Sequence, residues 1–269
     1  MLRLVKSSML LSVIVMMTFL LGACGTNNAS LKDNTSEDTV ELTVSAAASL
    51  TDALKEIQTL YEKEHSSIKL VFNLGASGAL QQQIEQGAPA DLFLSAATKN
   101  MKALVDKQLI DSDKHQNILK NELVAVVPLD AQLNITSEQD LQQDGLNKIA
   151  IGIPESVPAG SYAKEALTSA NLWDGLQSKI VQAKDVRQVL QYVETGNVDV
   201  GFVYKTDALT SSKVKVAFKV DPKSYSPVNY PIGIVKATKH AQEAEDFYAY
   251  LQTDEALDVF IKYGFSISQ

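Results

Sequence analysis

The sequence predicts an α/β fold whose sheets carry parallel strands with helices on both faces. Three observations lead there. Apolar or alternating runs of strand length are repeatedly followed by residues at helical spacing, the pattern of linked βαβ units. Three hand-overs of this kind are built from small residues: Ala46-Ala47-Ala48-Ser49-Leu50, Gly75-Ala76-Ser77-Gly78-Ala79 and Val157-Pro158-Ala159-Gly160-Ser161-Tyr162. Roughly 230 residues follow an N-terminal leader and tether, enough for one large domain or two lobes.

Taken in order, Glu41 to Val44 alternates apolar with polar residues and predicts a strand, after which Leu50, Leu54, Ile57 and Tyr61 recur at helical spacing. Ile68, Leu70 and Phe72 alternate again, and a short helix is expected around Leu80 to Gln86. Asp91 to Leu94 forms a compact apolar strand, and Met101, Leu104 and Val105 mark the next helix. Strands are expected near 123–127, 149–153, 180–181, 198–204, 214–218 and 232–235. Between them lie a helix from Tyr162 to Ala170 and one carrying Val186, Val189, Leu190 and Val193, for which Asp185 is the natural cap. Two further helical patterns, around 244–251 and 256–261, end the chain.

The first 23 residues read as a targeting segment. Arg3 and Lys6 form a basic start, Met9 to Leu21 is an almost unbroken apolar run, and Leu21-Gly22-Ala23-Cys24 closes it. That closing string resembles the lipobox of bacterial lipoproteins, which makes Cys24 the expected diacylated N-terminus after cleavage. Each buried CH₂ of such a lipid contributes about 0.8 kcal/mol of membrane affinity, so a diacyl anchor holds firmly. Cys24 is the single cysteine, so no internal disulfide can form. Residues 25–39 are polar and read as a flexible tether, with 24–40 as the lipidated linker.

Cleavage removes two positive charges and no negative ones, taking the formal net charge from −8 to −10. So acidic a chain is a poor partner for nucleic acid or an anionic membrane surface. Any anion it holds must be held by local dipoles against the long-range field. The three small-residue turns supply such dipoles, because a helix N-terminus presents unpaired N–H groups and a positive end. In open α/β sheets ligands sit beyond the carboxyl ends of the strands, where all three turns are expected.

The same residues offer little to an enzymatic reading. Gly75-Ala-Ser-Gly-Ala79 approximates a nucleophile elbow, but its fifth position is alanine. His65, His115 and His240 lie in polar contexts away from glycine-rich turns, and no zinc spacing or phosphate-binding P-loop is present. No catalytic residue is assigned and no cofactor is implied.

The ordered set AAASLTDAL, Gly87-Ala88-Pro89-Ala90-Asp91-Leu92-Phe93, VPAGSYAKEAL, Asp185-Val186-Arg187, Gly201-Phe202-Val203-Tyr204 and Tyr263-Gly264-Phe265 resembles the molybdate-binding proteins (ModA family) of ABC importers. The resemblance runs from Leu42 to Phe265. It implies a two-lobed periplasmic-binding-protein fold of type II, with mostly parallel sheets flanked by helices and the ligand in the cleft between lobes. It further implies one lobe of 41–120 plus 229–269 and another of 121–228. The expected ligand contacts are Ser49, Ser77, Ala159, Val186 and Tyr204. The two serines and the tyrosine would act through hydroxyls, the alanine and valine through backbone N–H groups. Molybdenum would enter only as the bound oxyanion, with tungstate as a second ligand and sulfate or another tetrahedral oxyanion as the alternative. The implied partners are a permease and its ATPase, with the membrane reached through the N-terminal lipid, and the chain is expected to be a monomer.

Each residue also has a plainer reading. Ser49 and Ser77 can serve as N-caps of their own helices, Ala159 as a small turn residue, and Val186 and Tyr204 as core. Asp91, at a strand start, reads as structural, since a carboxylate repels a dianion. The run Gly75-Ala76-Ser77-Gly78 carries fewer hydroxyls than some relatives have in this loop.

Overall fold

Strand runs buried on both faces dictate where the sheets lie. Leu123–Pro128 and Val200–Tyr204 are almost wholly apolar and almost wholly buried, as strands covered on both sides must be. The computed structural model describes residues 39–268 and gathers these runs into two sheets. The first sheet holds six strands in the order β11-β4-β10-β3-β1-β2: β1 (Val40–Ala47), β2 (Ile68–Gly75), β3 (Leu92–Leu94), β4 (Ile110–Lys120), β10 (Asn229–Val235) and β11 (Ser266–Ile267). The second holds five in the order β7-β6-β8-β5-β9: β5 (Leu123–Pro128), β6 (Ile149–Gly152), β7 (Ile180–Ala183), β8 (Val200–Tyr204) and β9 (Val214–Lys219).

The two-lobed α/β expectation holds, with one correction. The sheets are mixed, not mostly parallel: β1 pairs in parallel with β2 and β3, and β6 with β7 and β8, while β10 runs antiparallel to β3 and β4, and β5 antiparallel to β8 and β9. The cause is connectivity. The chain leaves the first sheet after Lys120, enters the second at Leu123, and returns between Lys219 and Asn229. The strands that flank these two crossings have no helical crossover to make them parallel. At the crossings the two passages touch, with the Asn121 N–H donating to the Val228 carbonyl at 3.1 Å.

β4 is an eleven-residue strand that the apolar pattern does not announce, because only Ile110, Ile118 and Leu119 along it are buried. It also carries His115, which lies opposite Gly233 of β10. Asp91 is structural as expected: it accepts from the Thr43 N–H at 2.7 Å and from the Thr238 hydroxyl at 2.5 Å, tying β1 to the turn after β10. Phe93, Phe202, Phe247 and Phe260 are fully buried, each worth about 1.5–3 kcal/mol of burial. Cys24 and the leader lie outside the described residues. Among those described, no helix is long and apolar enough to cross a membrane.

Candidate functional site

Four of the helices that start where parallel strands end converge at one place. β1 ends at Ala47, and a single 3₁₀ turn, Ala48–Leu50, leads into the helix Thr51–Glu64. β2 ends at Gly75, before the helix Ser77–Glu85. β6 ends at Gly152, and the helix Pro158–Ser169 follows with proline in its first turn, where a missing N–H costs nothing. β7 ends at Ala183, and Asp185 caps the helix Val186–Glu194 by accepting from the Gln188 N–H at 2.8 Å. This fourth end joins the three that the small-residue turns mark.

The four ends and the last residue of β8 enclose one cavity, lined by residues 47–49, 75–77 and 157–159 with Ala96, Val186 and Tyr204. Ser49, Ser77, Ala159, Val186 and Tyr204 therefore meet in one place, and all five are buried. The cavity is tight, with only about 10 Å³ open to the centre of a water-sized sphere, far below the roughly 300–1,000 Å³ of pockets for drug-sized ligands. Wider grooves elsewhere, such as those lined by Lys55, Glu56 and Lys262 or by Lys184, Asp185 and Glu194, are lined by charged side chains.

The hydroxyls of the two serines are engaged elsewhere than in capping. Neither caps its own helix: the N-cap positions are Ala47, Leu50 and Ala76, with no side-chain cap bond at any of them. The Ser77 Oγ accepts from the Ala96 N–H at 2.9 Å, and the Ser49 Oγ lies 2.8 Å from the Tyr230 hydroxyl. An Oγ that accepts in this way keeps its own proton free to donate. Tyr204 goes further. Its ring is 1% exposed and its hydroxyl has no partner among the described residues, an arrangement that costs about 1–3 kcal/mol unless something accepts the proton. Burial pushes its phenol well above the ordinary value, so the group is a donor at any physiological pH.

Among the described residues, no charged side chain lines the cavity. The nearest cation in sequence is Arg187, next to Val186, and its charge is already engaged. Its Nη2 lies 2.7 Å from Asp52 Oδ2 and its Nε 2.8 Å from Asp207 Oδ1, both as ion pairs whose N–H vectors are not aligned as hydrogen bonds. These two carboxylates had no signal in the local sequence. The cavity is thus lined by neutral groups, with Ala159 and Val186 in the first turns of helices whose N–H groups have no intrahelical acceptor.

The walls of the cavity come from both sheets, and they are in contact. The Gly78 N–H donates to the Ser156 carbonyl at 2.9 Å, and the Tyr162 hydroxyl to the Ala96 carbonyl at 3.3 Å. Gly78 is required there, since a Cβ would stand 2.6 Å from the Ser156 oxygen. Gly160 is equally constrained against Gly152, whose carbonyl oxygen would lie 1.9 Å from its Cβ.

The model of the bacterial extracellular solute-binding proteins matches residues 42–266, nearly the whole of both sheets. The chain belongs to that family. Members are solute-binding components of transport systems. The chain is 55% identical over 248 residues to YvgL of Bacillus subtilis, named as an ABC transporter substrate-binding lipoprotein, covering 92% of this chain and 94% of that one. It is 41% identical over 243 residues to the molybdate-binding protein ModA of Escherichia coli, covering 87% and 92%. The periplasmic molybdate-binding protein of Azotobacter vinelandii shares the fold, with a TM-score of 0.77 at 24% identity over 85% of this chain and 100% of that one.

Proposed function

We propose that this protein binds molybdate, and tungstate with it, outside the cytoplasm and delivers it to the permease and ATPase of an ABC transporter. The observation that carries the reading is the buried Tyr204 hydroxyl, without a partner among the described residues, in a cavity that none of their charged side chains lines. Molybdate offers four acceptor oxygens and no proton at neutral pH. A site made of donors complements it, while a protonated phosphate would bring an O–H that finds no acceptor. Charge-assisted hydrogen bonds contribute about 1.5–3 kcal/mol each. Several of them, less the cost of association, reach micromolar to nanomolar affinity.

In this reading Ser49 and Ser77 donate from one lobe (41–120 with 229–269), and Ala159, Val186 and Tyr204 from the other (121–228). The anion is the bridge between them, so it stabilises the closed cleft by contacts that exist only when both walls are present. The role is binding, in keeping with a family of solute-binding transport components, and the Ser77 Oγ is engaged by the Ala96 N–H. A monomer tethered by lipid at Cys24 would present this cleft to the permease. The tether is tested by Cys24→Ala, which should release the protein from the membrane fraction while leaving its molybdate affinity unchanged. Retention of that variant in the membrane would contradict the anchor.

A further inference from the structure

Ser49 can serve as a donor only if its proton is not already spent on Tyr230, whose hydroxyl oxygen is 2.8 Å away. Distance alone permits either direction. The surroundings of Tyr230 remove the ambiguity. Asn121, in the first crossing between the sheets, accepts the Glu122 N–H on its Oδ1 at 2.9 Å, which fixes the orientation of its amide. The Nδ2 end then faces Thr206 Oγ1 at 2.9 Å and the Tyr230 hydroxyl at 3.3 Å. Tyr230 therefore receives a hydrogen from Asn121 and needs an acceptor for its own. It is 1% exposed, and burial keeps its phenol protonated. Ser49 Oγ is the acceptor within reach, and the reverse arrangement would leave a buried O–H without one.

We propose that Tyr230 is the positioning residue that makes Ser49 a donor, and that Asn121 sets Tyr230 in that role. The relay runs Asn121 Nδ2–H to Tyr230 Oη, Tyr230 O–H to Ser49 Oγ, and Ser49 O–H into the cavity. It rests on the reading of this cavity as an anion site. Two consequences follow for selectivity and motion. A hydroxyl locked as a donor rejects a ligand oxygen that carries a proton, so Tyr230 helps to exclude hydrogen phosphate without touching the ligand. And because Asn121 and Tyr230 flank the two crossings, the polarity of a ligand contact is set by residues of the hinge.

The test is a double-mutant cycle by titration calorimetry with molybdate on the parent protein, Tyr230→Phe, Ser49→Ala and the double variant. Tyr230→Phe should weaken binding about threefold to tenfold, the net worth of one ordering hydrogen bond. In the Ser49→Ala background the same substitution should change affinity by less than about twofold, because the residue it acts through is gone. The molybdate-to-phosphate affinity ratio should also shrink in Tyr230→Phe, as Ser49 regains the freedom to accept. Equal losses in both backgrounds, or parent affinity and selectivity in Tyr230→Phe, would overturn the proposal. Should Tyr230→Phe lose its folded-state melting transition, Asn121→Ala takes its place in the cycle, with a smaller loss expected and the same dependence on Ser49. A parent protein that does not bind molybdate would instead contradict the reading of the site.

Discussion

Arg187 Nη2 lies 2.7 Å from Asp52 Oδ2, an ion pair joining the helix that opens at Val186 to the helix that follows Ser49. One partner belongs to each wall of the cavity. Opening the cleft separates them, so the pair favours the closed form over the open one. Both side chains are partly solvated, at 25% and 33% exposure, which keeps the contribution in the range of about 1 kcal/mol. Asp52→Asn should therefore weaken molybdate binding by about threefold to tenfold, with less effect at high salt. Calorimetry at two ionic strengths checks this, and unchanged affinity at low salt would mean that the pair does not act on closure.

Tyr204→Phe removes the hydroxyl that has no partner among the described residues and keeps the ring. Ligand-free stability should hardly fall, since no intramolecular hydrogen bond is lost. Molybdate affinity should drop by about 1.5–3 kcal/mol, the worth of a bond to a charged acceptor. The molybdate-induced rise in melting temperature should shrink in step. Parent affinity in this variant would return Tyr204 to the role of a core aromatic.

Gly78→Ala probes closure from the backbone. The new Cβ meets the Ser156 carbonyl oxygen at 2.6 Å and its Cα at 2.8 Å, both main-chain atoms that cannot rotate away. Gly78 stands in the first turn of its helix, where alanine is intrinsically better by up to about 1 kcal/mol. The expected outcome is a ligand-free melting temperature at or above the parent value together with at least tenfold weaker molybdate binding, a difference of about 1.4 kcal/mol. Thermal scans and titrations on the same sample separate the two effects.

Much of this was legible in the sequence, and the boundary is physical. Ser49, Ser77 and Ala159 announce themselves because small residues after an apolar strand are a local signal. What engages their neighbours is not local. Tyr230 reaches Ser49 across 181 positions, and Asp207, which pairs with Arg187, lies three residues beyond a strand with nothing in its neighbours to mark it as buried. The capping alternative for the serines likewise turned on long-range partners, the Ala96 N–H and the Tyr230 hydroxyl. β4 escaped notice because, of its eleven residues, only Ile110, Ile118 and Leu119 are buried, which leaves no period-two pattern to read.

Asp207 gives the protein a pH signature. Burial pushes its carboxyl up to about 6 from an ordinary 3.8, with the Arg187 charge opposing the rise. The folded value lies above the unfolded one, so between them the folded chain binds more protons. The contribution to stability is full below about pH 3.8 and is lost as pH rises through about 6. Asp207→Asn keeps an acceptor for the Tyr204 N–H, 3.2 Å away in the parent, but cannot ionise. Between about pH 4 and pH 7 the ligand-free variant should gain melting temperature relative to the parent. A difference that stays flat over that range would contradict the raised value.

The central claim is that neutral donors hold a fully deprotonated tetrahedral dianion. It is tested most directly by competition calorimetry on the purified protein, titrating molybdate in the presence of tungstate, sulfate or phosphate at neutral pH. The account predicts one molybdate per chain, displaced by tungstate and unaffected by equimolar phosphate. Phosphate binding as tightly as molybdate, or no molybdate binding at all, would contradict it.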